Sequence, residues 1–323
     1  MAEELRELYD ETFRGEERRS IALLAAGAKT AISSLRKVAV MNPYAEVLQR
    51  AGAGSADDVT RASQLTSLLP KEHGAYGQIT FPLATAFAVA GVSPAGLLFA
   101  AAVIAGFLAH EPAAVLVGLR GGRARRQMSG SAVQWLTSCL IISTVAGAGA
   151  LLTIAPAARW SIAVPVVPAL LLAIATVRGQ DKSSMGEMTA AVAFSTVAVP
   201  VSVAGGASTE IAAGVAIPFA LFFTASTLAV RVVILKVRGG GDPLAAKATR
   251  RAGLVLCGGA AGVLAVAAAT GQLSSSVLLS AAPGLLTAAI AAARPPAPIH
   301  LRKLGWTLIA ASVATAALVI ATA

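Results

Sequence analysis

The feature that most constrains this chain is a series of nine apolar runs, each about as long as a helix that crosses a bilayer. A helix needs roughly 20 apolar residues to cross ~30 Å of hydrocarbon. The chain is 56% apolar and only 13% charged, whereas a soluble domain has about 25% charged residues. Most of the chain therefore has no water to face. The runs lie at about 76–92, 95–118, 131–155, 161–177, 187–205, 210–235, 252–270, 273–293 and 304–322.

These runs predict an all-α fold, a polytopic transmembrane helical bundle of about nine spans. The N-terminal part of the chain is different, because residues 1–70 hold ten of the sixteen acidic residues. A charged helix is predicted at 2–19 and a mildly apolar, amphipathic one at 20–38. Both are too broken by charge to span a membrane. We therefore expect two parts: an amphipathic or soluble helical segment at 1–69, and the nine-span transmembrane domain at 70–323.

The charges of the loops support nine spans. The only charged residues in the loops after the first, third, fifth and seventh runs are Arg159 and Glu210. The positive-inside rule then places the N-terminus and the basic loops in the cytoplasm and the C-terminus outside. This placement explains the formal net charge of +10 without nucleic acid as a partner. The basic residues of the other loops are Arg120, Arg123, Arg125, Arg126, Arg178, Lys182, Lys236, Arg238, Lys247, Arg250, Arg251, Arg294, Arg302 and Lys303.

Ionisable residues near membrane depth are candidate functional groups, because leaving them in lipid is costly. They gather at the ends of the runs that are predicted to be cytoplasmic. Four stretches of sequence contain them: Pro70–Tyr76, His110–Pro112 with the following Arg120, the loop 178–187, and the end of the sixth run. The candidate substrate-binding residues are Lys71, Glu72, His73, His110, Glu111, Arg120, Asp181, Lys182, Glu187 and Arg231.

Each stretch also has a plainer structural interpretation. Pro70–Tyr76 could be an ordinary solvated helix start, and the loop 178–187 a solvated loop. Glu111 could pair with a loop arginine and only fix helix packing, and Arg231 could extend towards the headgroups. The functional interpretation predicts instead that these groups share one inward-facing cavity.

Glu111 is the most constrained of these residues, because an unpaired carboxylate in a low-dielectric site takes up a proton. We expect it to be ionised and paired with Arg120 or Arg231. Arg120 lies nine residues further along, so the contact requires the helix to end or bend between Pro112 and Gly118. Arg231 would reach Glu111 only if the second and sixth runs are neighbours.

The segment PKEHGAYGQITFP, from Pro70 to Pro82, resembles the opening motif of the YwiC-like family of bacterial membrane proteins. The resemblance implies an integral protein of a bacterial inner (cytoplasmic) membrane and no particular activity. The nine-span topology also resembles the UbiA prenyltransferase superfamily, whose active site lies at the cytoplasmic ends of spans two and six. Those enzymes hold Mg²⁺ on a diphosphate with two Asp-rich motifs. Here Glu111 and Asp242 stand alone at the matching places, so a cofactor is unknown and Mg²⁺ would find a poor ligand set. No other metal-ligand spacing occurs.

Three functions follow as alternatives. The first is binding or processing of a lipid phosphate or other anionic substrate in a cytoplasm-facing polar pocket, because arginine forks suit phosphate. An enzyme of this kind would be a UbiA-like lipid-modifying transferase without the usual Asp-rich motifs. The second is transport of a small anion or metabolite, which requires a polar path to both faces. The third is membrane assembly or scaffolding, with residues 1–69 docking a protein partner. Membrane lipids are expected partners in every case.

Overall fold

The computed structural model describes residues 68–70, 73–180, 182–237 and 243–323. Within these ranges the chain is helical and contains no strand. Two short 3₁₀ turns, Pro156–Ala158 and Pro298–His300, precede α4 and α10. The α-helices are α1 His73–Ala90, α2 Pro94–Val117, α3 Gly122–Thr153, α4 Trp160–Val177, α5 Ser184–Thr196, α6 Ala198–Ala204, α7 Thr209–Val237, α8 Pro243–Ala269, α9 Ser275–Ala293 and α10 Leu301–Thr322.

Helices α5 and α6 are two parts of one apolar segment, so nine helical segments stand where nine apolar runs were predicted. Eight of the segments in the described residues are long and apolar enough to cross a bilayer. These findings confirm the predicted class, an all-α polytopic transmembrane bundle. The N-terminal helices predicted at 2–19 and 20–38 lie outside the described residues, and the division of the chain at residue 69 stays a prediction.

Helix α1 coincides with the first predicted run but is not among the eight candidate spans. Its first two turns contain tyrosine and glutamine, which lower its apolar content. The helix has 18 residues and is therefore about 27 Å long. It packs against α6, α10 and α5, and Ile79, Leu83 and Ala86 are buried among them. Because protein rather than lipid covers this side of α1, the helix needs less apolar surface than a peripheral span.

The connection between α2 and α3 is short and has a clear cause in the sequence. Gly118 has φ +90° and ends α2, and its amide donates to the carbonyls of Ala114 and Val115. The next amide, that of Leu119, donates to the Ala114 carbonyl at 2.9 Å. This pair of hydrogen bonds is a Schellman motif, which requires a left-handed residue that glycine adopts easily. The chain therefore turns back at once, and α3 packs along α2 more extensively than any other helix pair in the described residues.

Helix α7 lies at the centre of the bundle. It packs mainly against α9, α5 and α8, and also contacts α6, α1 and α10. In its most apolar stretch 61% of the residues are buried, compared with 17% in α3 and 17% in α8. The side chains of Phe219, Phe222 and Phe223 contact one another there, with ring centroids 5.6 Å apart for Phe219 and Phe223.

The peripheral helices α3, α4 and α8 expose large apolar side chains. Leu152 is 79% exposed, Val255 73% and Leu170 59%. Apolar surface this extensive is not tolerated in water, whereas lipid tails cover it without cost. The outer faces of these helices therefore fit a lipid environment.

Close packing between α7 and α9 depends on a glycine. A Cβ atom placed on Gly284 would lie 2.6 Å from the Cβ of Phe222, a side chain that is fully buried. We predict that Gly284→Ala lowers the free energy of unfolding by about 1–3 kcal/mol, since an overpacked core must shift its neighbours. Denaturant titration in mixed micelles measures the change.

The matched control is Gly258→Ala on α8, where nothing lies within 4 Å of the added methyl group. It should be neutral or slightly stabilising, because alanine favours helix. Equal stability of the two variants would contradict the packing of α9 on α7.

Candidate functional site

A buried ion pair lies at the end of α2. Glu111 is only 4% exposed. Arg120 Nε donates to Glu111 Oε1 at 2.8 Å, and Arg120 Nη2 pairs with Oε2 of the same carboxylate. The contact is bidentate, the strongest arrangement of these two groups. The prediction that Arg120 pairs with Glu111 is confirmed, and the Schellman motif at Gly118 provides the helix end that this contact requires.

A second ion pair joins α7 to the start of α5. Arg231 Nη1 donates to Glu187 Oε2 at 2.8 Å and to the carbonyl oxygen of Lys182 at 3.0 Å. Ser183 caps α5 by accepting from the amide of Gly186 at 3.0 Å. Glu187 lies in the first turn, where the helix dipole favours a carboxylate. Arg231 therefore holds the end of α7 to the connection between α4 and α5, and it is not the partner of Glu111.

Three aromatic side chains connect the ends of these helices; we call Tyr76, Phe107 and Phe194 the aromatic layer. The ring centroids of Tyr76 and Phe107 are 5.2 Å apart, and those of Phe107 and Phe194 are 5.4 Å apart, both edge to face. Phe107 lies one turn before Glu111 on α2, and Phe194 two turns after Glu187 on α5. Both ion pairs are therefore at the same end of the bundle, which we call the polar end, and the aromatic layer lies on its apolar side.

The chain that leads into α1 is held at the polar end as well. The hydroxyl of Tyr76 donates to the carbonyl oxygen of Pro70 at 3.0 Å. Leu68 is fully buried and packs with Val115 and Ala132 of the α2–α3 hairpin. The Tyr76 hydroxyl thus ties the start of α1 to Pro70, and the Tyr76 ring contacts Phe107 of α2. Sequence reasoning did not identify Leu68 or the aromatic layer; the tyrosine within the motif was the available signal.

The other predicted site residues are only partly described. Lys71, Glu72, Asp181 and the side chain of His73 lie outside the described residues. His110 is half-buried, and its side chain forms no hydrogen bond or ion pair in the described part of the chain. Lys182 is exposed. The structure brings together Glu111 with Arg120, and Glu187 with Arg231. One cavity lined by Glu72, His73, Glu111 and Arg120 together with Asp181, Glu187 or Arg231 stays a prediction.

The residues described here do not fit the Mg²⁺ site that the UbiA resemblance implies. Mg²⁺ requires carboxylate oxygens in an octahedral array. Both oxygens of Glu111 contact the Arg120 guanidinium, and Asp242 lies outside the described residues. Among the described side chains, no three of His, Cys, Asp or Glu come together as metal ligands. We therefore derive no step that uses this ion.

Helices with lipid-facing apolar surfaces, with the two ion pairs of the described residues at one end of the bundle, define a polytopic integral membrane protein. Residues 69–202 match the family model described as YwiC-like protein, which confirms the resemblance predicted from Pro70–Pro82. The match is less than half of the chain; it includes both partners of the Glu111–Arg120 pair but not Arg231. No curated protein and no solved structure matched this chain, and the UbiA resemblance gains no support.

The Glu111–Arg120 pair should stabilise the bundle, because each side chain neutralises the charge of the other where little water reaches them. We predict that Glu111→Gln lowers the free energy of unfolding by about 1–3 kcal/mol, because the partly buried guanidinium loses its charged partner. Arg120→Gln in the same chain should restore part of this loss, since both charges are then absent. A double-mutant cycle in detergent measures the coupling.

The Glu187–Arg231 pair is the internal control, because the Glu187 side chain is 38% exposed and that of Glu111 only 6%. Its coupling should stay below about 1 kcal/mol. A coupling for Glu111 and Arg120 no larger than this one would contradict a stabilising role for the buried pair.

Proposed function

We propose that the protein binds a phosphate-bearing anion, preferably a lipid phosphate, at the polar end of the bundle. The observation that carries the proposal is the surplus of arginine there. Each carboxylate of the two ion pairs is already matched by an arginine. Four further arginines of the same end are exposed and form no ion pair within the described residues. They are Arg123, Arg125, Arg126 and Arg178.

Arg231 is the best-placed anion ligand of this group. Both of its hydrogen bonds within the described residues use Nη1, and its other N–H groups are the donors proposed for a phosphate oxygen. Its side chain remains 24% exposed, and Glu187 fixes its direction. A guanidinium held in this way loses little conformational freedom on binding. Arg178, in the connection that Arg231 touches, would add a second cation.

The position of the aromatic layer beside the polar end favours a lipid as the source of the phosphate. The aromatic layer lies between the polar end and the apolar interior, so a headgroup would bind at the end while its chains remain in the bilayer. The proposal assigns no reaction to this site, and an enzymatic activity stays open.

Native mass spectrometry of the full chain with a short-chain lipid monophosphate tests the proposal. Arg178→Gln with Arg231→Gln should weaken binding about tenfold or more, since each cation near the surface contributes about 1 kcal/mol. Arg159→Gln is the matched control, because Arg159 is an exposed arginine of the loop before α4, on the opposite side in the predicted topology. Equal affinity of the double variant and the control would overturn the proposal.

Transport is the second candidate, and three buried hydroxyls favour it. Thr85 on α1, Ser202 on α6 and Thr315 on α10 have no hydrogen-bond partner within the described residues. Helix α1 packs against both α6 and α10, so these three hydroxyls lie on neighbouring helices. Accumulation of the same anion inside proteoliposomes would favour transport over binding alone. Scaffolding through residues 1–69 concerns a segment of which the structure describes only residues 68 and 69.

A further inference from the structure

A cleft opens between α9 and α10, where the 3₁₀ turn Pro298–His300 joins the two helices. Its volume is about 410 Å³, which is within the size range of small-ligand pockets. Neither ion pair of the polar end contributes to it. The lining residues are Thr287, Ile290, Ala291, Arg294, Pro296, His300, Lys303, Leu304 and Thr307.

The polar side chains at the cleft are cationic or neutral. Arg294, His300 and Lys303 are exposed, and their side chains form no ion pair within the described residues. No aspartate or glutamate occurs anywhere in residues 243–323. The cleft therefore concentrates positive charge without an internal counter-ion on these helices, and its field attracts an anion.

The walls of the cleft are apolar. Ile290 of α9 and Leu304 of α10 both line it; Ile290 is 63% exposed and Leu304 is buried. Thr307 lies six residues into α10 from Leu301, so the cleft reaches about 9 Å along the helix. Trp306, beside it, is 62% exposed, as expected for tryptophan at the level of the lipid headgroups.

We infer that this cleft binds the headgroup of an anionic phospholipid. The phosphate lies between Arg294 and Lys303, His300 faces the headgroup from the turn, and an acyl chain runs along Ile290. The positive-inside rule accounts for basic residues in this loop, but it does not require them to surround a cleft with apolar walls. Basic pockets between helices on the cytoplasmic side of membrane proteins bind such headgroups. Bound lipid would fasten the α9–α10 hairpin to one leaflet.

The test compares lipid retention by native mass spectrometry with vesicle-derived phosphatidylglycerol and phosphatidylcholine. Arg294→Gln with Lys303→Gln should lower retention of phosphatidylglycerol about tenfold while leaving phosphatidylcholine unchanged. The matched control is Arg251→Gln with Arg302→Gln, which also removes two exposed arginine charges, one from α8 and one from α10, but none from the cleft. Arg294→Lys with Lys303→Arg keeps the charge and should retain the lipid.

Three outcomes would overturn the inference. The first is equal loss of phosphatidylglycerol in the cleft variant and the control, which would mean that only overall charge matters. The second is displacement of the lipid by excess inorganic phosphate, which would mean that the apolar wall contributes nothing. The third is loss of binding in the charge-conserving variant with unchanged thermal stability. Because Arg178 and Arg231 are unaltered here, failure of this cleft is distinguishable from failure of the polar end.

Discussion

Hydrocarbon cannot hydrogen-bond to a peptide group, and this constraint shapes the whole chain. Every backbone amide at membrane depth must find a partner within its own segment, so the apolar runs can only become helices. The core of the bundle and its lipid-facing surface do not differ in polarity, because lipid tails are as apolar as leucine side chains. Packing is decided by shape instead, as where Gly284 lets Phe222 of α7 lie directly against α9. The polar groups that remain are then concentrated where water or headgroups can reach them.

The same constraint explains the arrangement of charge. Glu111 can lie within α2 at 4% exposure because Arg120 meets both of its oxygens. Gly118 ends α2 in a left-handed conformation, and this turn of the backbone lets Arg120 reach back to Glu111. The aromatic layer lies on the apolar side of both ion pairs and joins α1, α2 and α5. The cations of the α9–α10 cleft have no such partners within the described residues, which is why we assign them to lipid headgroups.

Much of this arrangement could be predicted from the sequence, because spans and helix ends are local properties. The nine apolar runs match nine helical segments, and Arg120 was one of the two predicted partners of Glu111, on the condition that the helix ends or bends between Pro112 and Gly118. Long-range neighbours were harder. Arg231 pairs with Glu187 rather than Glu111, and nothing local in either helix specifies which helices are adjacent. The contact of Phe107 with Tyr76 and Phe194, and the burial of Leu68, likewise depend on tertiary packing. Helix α1 differs from a typical span because other helices enclose it, a fact that its own residues do not reveal.

We propose that the ion pairs, the basic loops and the cleft all lie on the cytoplasmic side of the membrane. Single cysteines in a chain whose two native cysteines are replaced by alanine test it most directly, using a membrane-impermeant maleimide on intact cells. Val92→Cys and Thr270→Cys, in the loops after α1 and α8, should react in intact cells. Leu119→Cys and Ala297→Cys, in the basic loops, should react only after the membrane is permeabilised. Reaction of Leu119→Cys or Ala297→Cys in intact cells would contradict the account.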